Sequence, residues 1–269
     1  MSEQYDVSRV RIATPADVRP AAENLRDIAA AMGGLRVAIC HNIAVNQSME
    51  DADGNVLATS VFGWTFEEDD RWWRSPRLAL KSPLPTACRY ESEPFWCNAE
   101  GFRTSLPNPM LDMLDRADFV RRGLTPAAIV VPVHLPFGQI GAASYVPADR
   151  NKLDLAQEFD AYAVQLGVLT RHFIAGYVRS MCNRERLPVG PVLSKREVEC
   201  LRWASMGKTD DEISLIIARS RATVRFHMHS ASTKLNSVTR SQTLFKATQL
   251  GYISFSGGSF NGGSARMVA

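Results

Sequence analysis

Ser194-Lys195-Arg196-Glu197, Thr209-Asp210-Asp211-Glu212, Ser220-Arg221-Ala222-Thr223 and Thr239-Arg240-Ser241-Gln242 follow one another between residues 194 and 242. Three of the four carry a hydroxyl followed three positions later by Glu or Gln. That is the spacing of a capping box, in which the hydroxyl takes the amide three residues on and the Glu or Gln returns to the cap's own amide. Ser220 is a fourth N-cap without the returning side chain. Gly207 and Gly251 stand where helix C-caps fall. With short apolar-periodic segments between the caps, residues 193–253 read as four short helices joined by tight turns. Such a unit has no room for a catalytic cleft. It has the size of a helix-turn-helix module.

The third of these helices carries the most chemistry. Val224, Met228, Ala231 and Leu235 fall at i, i+4, i+7 and i+11 and make one buried stripe. The opposite face presents Arg225, Phe226, His229 and Ser232, with Arg221 and Thr223 in the first turn. A helix N-terminus with free amides and Arg and Thr beside it suits phosphate contact. An Arg one turn further in can reach guanine N7 and O6. His227 and His229 are two apart, point to different faces and cannot share a metal as i, i+4 histidines do. His227 reads as a packing or hydrogen-bonding residue.

Charge divides along the chain. The formal net charge is +3. Residues 193–253 hold ten basic and five acidic side chains, and the only other charge after them is Arg266, so residues 1–192 carry −3. A basic small unit behind an acidic larger one predicts that the second meets a polyanion.

Composition bounds the rest. A chain of 269 residues with 45% apolar content has room for two ordinary globular domains. No run of eighteen apolar residues is present, which argues against a membrane span, and Met1-Ser2-Glu3-Gln4-Tyr5-Asp6 lacks the pattern of a signal peptide. The five cysteines are scattered and never in C-x-x-C spacing, so neither a disulfide framework nor a cysteine zinc site is expected. No cofactor or metal is called for, and a cytoplasmic location is.

Along residues 1–186 helical and strand-like stretches alternate. Residues 15–32 have helical spacing behind Thr14-Pro15, and Leu35 to Cys40 is strand-like. Residues 67–81 and 108–122 read as helices, the second ending at Gly123. Cys88 to Cys97 reads as a strand. Ala127–Val133 and Gln139–Val146 form a hairpin through Leu135-Pro136-Phe137-Gly138, and a long amphipathic helix runs from about 153 to 186. Strands flanked by helices at both ends predict an α/β/α sandwich around an antiparallel sheet, making the whole chain α+β. Leu187-Pro188-Val189-Gly190-Pro191 interrupts the pattern, so residues 187–192 are the expected linker and 254–269 the expected flexible tail.

The stretch from Leu193 through Lys208-Thr209, with Glu212-Ile213, Thr223 to Met228, Lys234-Leu235 and Arg240, resembles the LuxR-type DNA-binding domain. The Glu, Leu and Gly most characteristic of that domain match Glu197, Leu201 and Gly207. Ala231 departs from it, standing where a larger aliphatic residue is usual. The resemblance implies that Arg225, Phe226 and His229 face bases and that Thr223 and Lys208 meet the DNA backbone, with Arg221 a further DNA contact from its first-turn position. One reading helix covers a single half-site, so a homodimer on an inverted repeat in promoter DNA is expected, with RNA polymerase as a further partner.

Gly123 through His134, then Gly138 through Ser144, together with Pro94-Phe95-Trp96, resemble the autoinducer-binding domain of quorum-sensing LuxR regulators. The resemblance implies a pocket in which Trp96 and Ser144 anchor a small apolar effector, enclosed by the sheet and the helices at 67–81 and 108–122. Tyr90 and Trp72 or Trp73 would complete the wall. The family's pocket Asp is replaced by Ser82, in Ser82-Pro83-Leu84. A serine accepts a hydrogen bond without the charge that makes it strong, so the departure favours an aromatic or other apolar effector over an acyl-homoserine lactone. A regulator governed by dimerisation or by a protein partner alone is the alternative. No receiver-type acidic pair and no G-x-x-x-x-G-K-[ST] loop occurs. An enzyme built on Ser144, His134 and Asp149 is disfavoured, because Ser144 lacks nucleophile-elbow glycines.

Overall fold

The computed structural model describes residues 6–65, 81–182 and 192–254. The chain divides into two compact units, Met1–Asn183 and Arg184–Ala269, each with its own core.

The first unit is built on a five-stranded sheet whose neighbours are all antiparallel. Its order is β1 (Leu35–Cys40), β5 (Ile140–Pro147), β4 (Ala127–His134), β2 (Phe95–Asn98) and β3 (Gly101–Thr104). Because strand side chains alternate, the two faces separate cleanly. Leu35, Val37, Ile129, Val131, Ala143 and Tyr145 join one core, which α1 (Val18–Ala31) and α6 (Ala156–Met181) cover. Phe95, Cys97, Val130, Ala142 and Val146 face the other way and join a second core, with α3 (Pro83–Ala87), α4 (Pro109–Asp112) and α5 (Phe119–Gly123). A further short helix, α2, spans Leu57–Ser60.

Helix α6 forms because Phe159, Ala163, Leu166, Leu169, Phe173 and Tyr177 make one stripe, and the Asp154 carboxylate accepts the Ala156 amide at 2.8 Å at its start. Burying a side chain such as Phe173, with no solvent exposure, contributes about 1.5–3 kcal/mol. The phenol of Tyr145 is buried with it and is satisfied by the Thr170 hydroxyl at 2.6 Å.

The helix expected from 15–32, the strand at Leu35–Cys40, the 127–146 hairpin and the long helix all form. The hairpin turns where Phe137 and Gly138 take φ of 68° and 72°. Two expectations need correction. The strand expected from Cys88 begins only at Phe95, since Pro83 starts a helix and Cys88 is its C-cap. The helix expected over 108–122 is two short ones. It breaks where the Asp115 carboxylate takes the Ala117 amide at 2.9 Å and Asp118 adopts φ of 53°. The helix expected at 67–81 lies outside the described residues except for Lys81, as do the 187–192 linker except for Val192 and the tail after Ser254.

The second unit consists of α7 (Lys195–Ser205), α8 (Asp210–Ile216), α9 (Arg221–Lys234) and α10 (Arg240–Gln249). All four N-caps close: Ser194, Thr209, Ser220 and Thr239 accept from the amides of Glu197, Glu212, Thr223 and Gln242. The three returning side chains complete their boxes. Gly207 and Gly251 take φ of 82° and 76°, the left-handed conformation that follows a helix C-cap. Leu201, Ile213, Val224, Ala231 and Leu235 form the centre of the core. Among the described residues of both units, no helix is long and apolar enough to cross a membrane.

Candidate DNA interface and ligand cavity

Helix α9 buries Val224, Met228 and Ala231 and leaves Arg221, Arg225, Phe226 and His229 exposed. Phe226 keeps 67% of its surface in solvent, which its packing does not explain. The outward face is therefore the one the sequence indicates. Thr223 is half-buried because its hydroxyl meets that of Ser220 at 2.9 Å. The basic side chains stand against the acidic first turn of α8: Arg221 and Asp211 at 3.1 Å, Arg225 and Asp210 at 3.9 Å, Lys208 and Glu212 at 3.3 Å. Arg240 holds Asp210 at 2.5 Å and donates to the Lys208 carbonyl. Exposed pairs of this kind contribute about 0–1 kcal/mol, so a phosphate or a base edge can displace the carboxylates at little cost.

Beneath this surface Glu197 ties α7 to α9. It accepts from the Ser194 amide at 2.6 Å, the Ser230 hydroxyl at 2.6 Å and Lys234 Nζ at 2.9 Å, with 3% exposure. Burial pushes its carboxyl up, but the bonds from Ser230, Lys234 and Ser194 outweigh that and hold it at about 2. Glu197 is a scaffold residue.

The first unit holds a cavity of about 560 Å³ on the α3 and α5 side of the sheet. Its floor is the outward row of three strands, with Ala38 and Cys40 from β1, Ala142, Ser144 and Val146 from β5, and Val130 from β4. Leu84, Pro85 and Cys88 lie over it, and Trp64 and Phe62 close one side. A volume in this range, apolar with a few polar groups, is that of a small-molecule site. Burial pushes the Cys40 thiol up to about 11 against the backbone hydrogen bonds of Ala142 and Asn42, and Cys88 rises further for the same reason. The cavity thus presents neutral thiols, and thiolate chemistry is not set up there.

The structure does not bring Trp96 and Ser144 together. Cross-strand register aligns Phe95 with Val130 and Val130 with Ser144, so Ser144 shares a face with Phe95. Trp96 shares the opposite face with Ile129 and Tyr145, packing against the α1/α6 core, and is not among the cavity's lining residues. Tyr90 is 47% exposed in the loop after α3 and lines nothing. Ser82 is fully buried at the start of α3. Its hydroxyl has no partner among the described residues, and it too lies outside the lining. Trp72 and Trp73 fall outside the described residues.

Trp64 stands in the wall, its indole N–H donating to the Val37 carbonyl at 2.5 Å. A wall residue not singled out from the sequence is Arg36, stacked over that indole at 3.8 Å from the ring centroid. The alternation of Leu35, Val37 and Ile39 with Arg36, Ala38 and Cys40 carried the signal for Arg36. The catalytic set imagined on Ser144, His134 and Asp149 is not assembled. His134 pairs with Ile140, four positions along β5 from Ser144, roughly 13 Å at the strand rise. His134 instead meets the Glu91 carbonyl at 3.1 Å.

Residues 191–247 match the family described as bacterial regulatory proteins, luxR family, so the C-terminal unit is a luxR-family helix-turn-helix domain. Transcriptional activator protein VanR of Vibrio anguillarum is 35% identical over 127 residues, 47% of this chain and 52% of that protein. The HTH-type quorum sensing-dependent transcriptional regulator VjbR of Brucella ovis is 45% identical over 82 residues, 30% of this chain and 32% of that protein. The chain thus spans about half the length of the first relative and a third of the second. Among solved structures, SdiA in complex with octanoyl-rac-glycerol is similar with a TM-score of 0.46 and 19% identity, over 91% of this chain and 92% of that one. These matches are to DNA-binding regulators and not to enzymes.

Proposed function

We propose that this protein is a ligand-responsive DNA-binding transcriptional regulator. The observation that carries the reading is the pairing, in one chain, of a luxR-family helix-turn-helix domain with a separate unit that holds a cavity of about 560 Å³ lined by apolar and polar side chains. The C-terminal unit reads promoter DNA: Arg225, Phe226 and His229 face bases, while Arg221, Thr223 and Lys208 meet phosphates. One such helix covers a single half-site, so the working form is a homodimer on an inverted repeat. The exposed side of α6, where Val164 is 68% exposed, supports a dimer seam. RNA polymerase is the partner a bound activator would recruit, and the site of action is the cytoplasm. The effector is a small apolar molecule whose polar end meets Ser144.

The test is fluorescence anisotropy of the full chain on an inverted-repeat site selected from random DNA, before and after bound small molecules are stripped by organic extraction and returned. Two protomers per site and an affinity that follows the extract are expected. Identical DNA affinity in every state would favour control by dimerisation or a protein partner instead.

A further inference from the structure

We infer that the effector is an organic acid, an apolar body ending in a carboxylate that the Arg36 guanidinium holds inside the cavity. The inference rests on the ligand-binding reading above and adds the chemical class.

Among the described residues, Arg36 and Arg121 line the cavity and no Asp or Glu does; Arg150, also on the lining, has an interaction of its own. Some arginines of the same unit are paired with acids, as Arg19 with Asp51 at 3.0 Å and Arg122 with Asp115 at 2.7 Å, and others, such as Arg89 and Arg116, meet backbone carbonyls. Arg36 is set apart by its stacking at the cavity wall. Its Nη2 donates to the Gly63 carbonyl at 2.9 Å, its plane lies over the Trp64 ring, and it has no carboxylate partner among the described residues. Trp64 is itself fixed by its bond to Val37. The guanidinium is therefore held at a half-buried position, and of its five N–H donors the one at Nη2 meets the Gly63 carbonyl. A carboxylate's two oxygens match the guanidinium's fork. Because the side chain is already ordered by stacking, little rotamer freedom is lost on binding.

The register places the rest of the ligand. Arg36 pairs with Val146 and Ala38 with Ser144, so the Ser144 hydroxyl is the diagonal neighbour of Arg36 on the same face, roughly 7–8 Å away. A polar atom a few bonds from the carboxylate meets it. Beyond lie Ala38, Cys40, Val130 and Ala142, which take the apolar body. A neutral lactone or ester offers Arg36 a single carbonyl acceptor and no charge.

The experiment is isothermal titration of the full chain with two matched pairs: N-decanoyl-homoserine against its lactone, and decanoic acid against methyl decanoate. Wild type should bind each acid about 10- to 100-fold more tightly than its neutral partner, the range a charge-assisted hydrogen bond carries. Arg36→Gln should erase that preference and Arg36→Lys should keep part of it, with unliganded melts showing that both variants fold. Neutral members binding as tightly as the acids, or a preference unchanged in Arg36→Gln, would overturn the inference and leave the ligand-binding reading standing. Absence of binding by all four compounds would overturn both.

Discussion

The two units differ in how their chemistry is positioned, and the difference decides what a sequence can reveal about each. In the C-terminal unit the helix starts, the helix ends and the outward face of α9 are set locally. Four caps set four helix starts, two left-handed glycines follow two helix ends, and the i, i+4 spacing of Val224 and Met228 fixes which way Arg225 and Phe226 point. In the N-terminal unit the cavity is assembled by pairing across strands that are distant in sequence, as where Ala38 meets Ser144. A one-residue difference in parity moves a side chain to the other face of a sheet. That is what separates Trp96 from Ser144.

The comparison can be broken by making each unit fail alone, and core deletion should give the largest effect. Phe173→Ala removes a side chain with no exposure at the centre of α6 and should cost about 3–5 kcal/mol. Calorimetry should show the N-terminal transition falling while the C-terminal one stays put. A joint shift would mean that the units do not unfold independently.

A smaller effect is expected at Glu197. Glu197→Ala in the isolated C-terminal unit removes bonds to Ser194, Ser230 and Lys234 and should cost roughly 2–3 kcal/mol. Its folded-state carboxyl is depressed, so the stability it contributes is complete above the unfolded value of 4.5 and is lost as pH falls toward about 2. Denaturant melts between pH 5 and 2 should therefore flatten in Glu197→Gln. Equal pH slopes in variant and wild type would show that the carboxylate is not held as described.

At the DNA face, Arg225→Ala should cost about 1–3 kcal/mol of discrimination at one base position, whereas Lys208→Ala should weaken all sequences alike and lower the salt slope by about one. Uniform loss in Arg225→Ala would reassign it to the phosphate backbone.

The smallest effects divide the sheet's two faces. Ser144→Ala should weaken effector binding by about 1 kcal/mol, while Trp96→Phe should change it little. A loss with Trp96→Phe equal to that of Ser144→Ala would place the ligand on the α1/α6 side.

These contrasts also explain what was legible beforehand. The α+β architecture, the hairpin and the outward face of α9 could be read because caps, turn residues and helical periodicity act over a few residues. Pro83 illustrates what could not: it reads only as part of a ligand motif, Ser82-Pro83-Leu84, yet it starts a helix that puts Leu84 and Pro85 on the cavity wall. Aromatic character does not mark a face. Trp64 and Tyr90 are equally aromatic, and one lines the cavity while the other is in solvent. Ser82, sought as a ligand contact, is fully buried at the start of α3 and lies outside the cavity lining. Only cross-strand register and loop packing settle such matters, and neither is written in local spacing.

The central claim is that the cavity over Ser144 is where a small molecule resides. Its most direct test is native mass spectrometry of the full chain, wild type and Ala142→Trp, purified from the organism that makes it. Ala142 is 8% exposed on the cavity floor, so a Trp there fills the site at about 1–3 kcal/mol of overpacking. The account predicts a bound small-molecule mass on wild type and none on the folded variant. A wild-type protein that carries nothing, or a variant that carries the same mass, would contradict it.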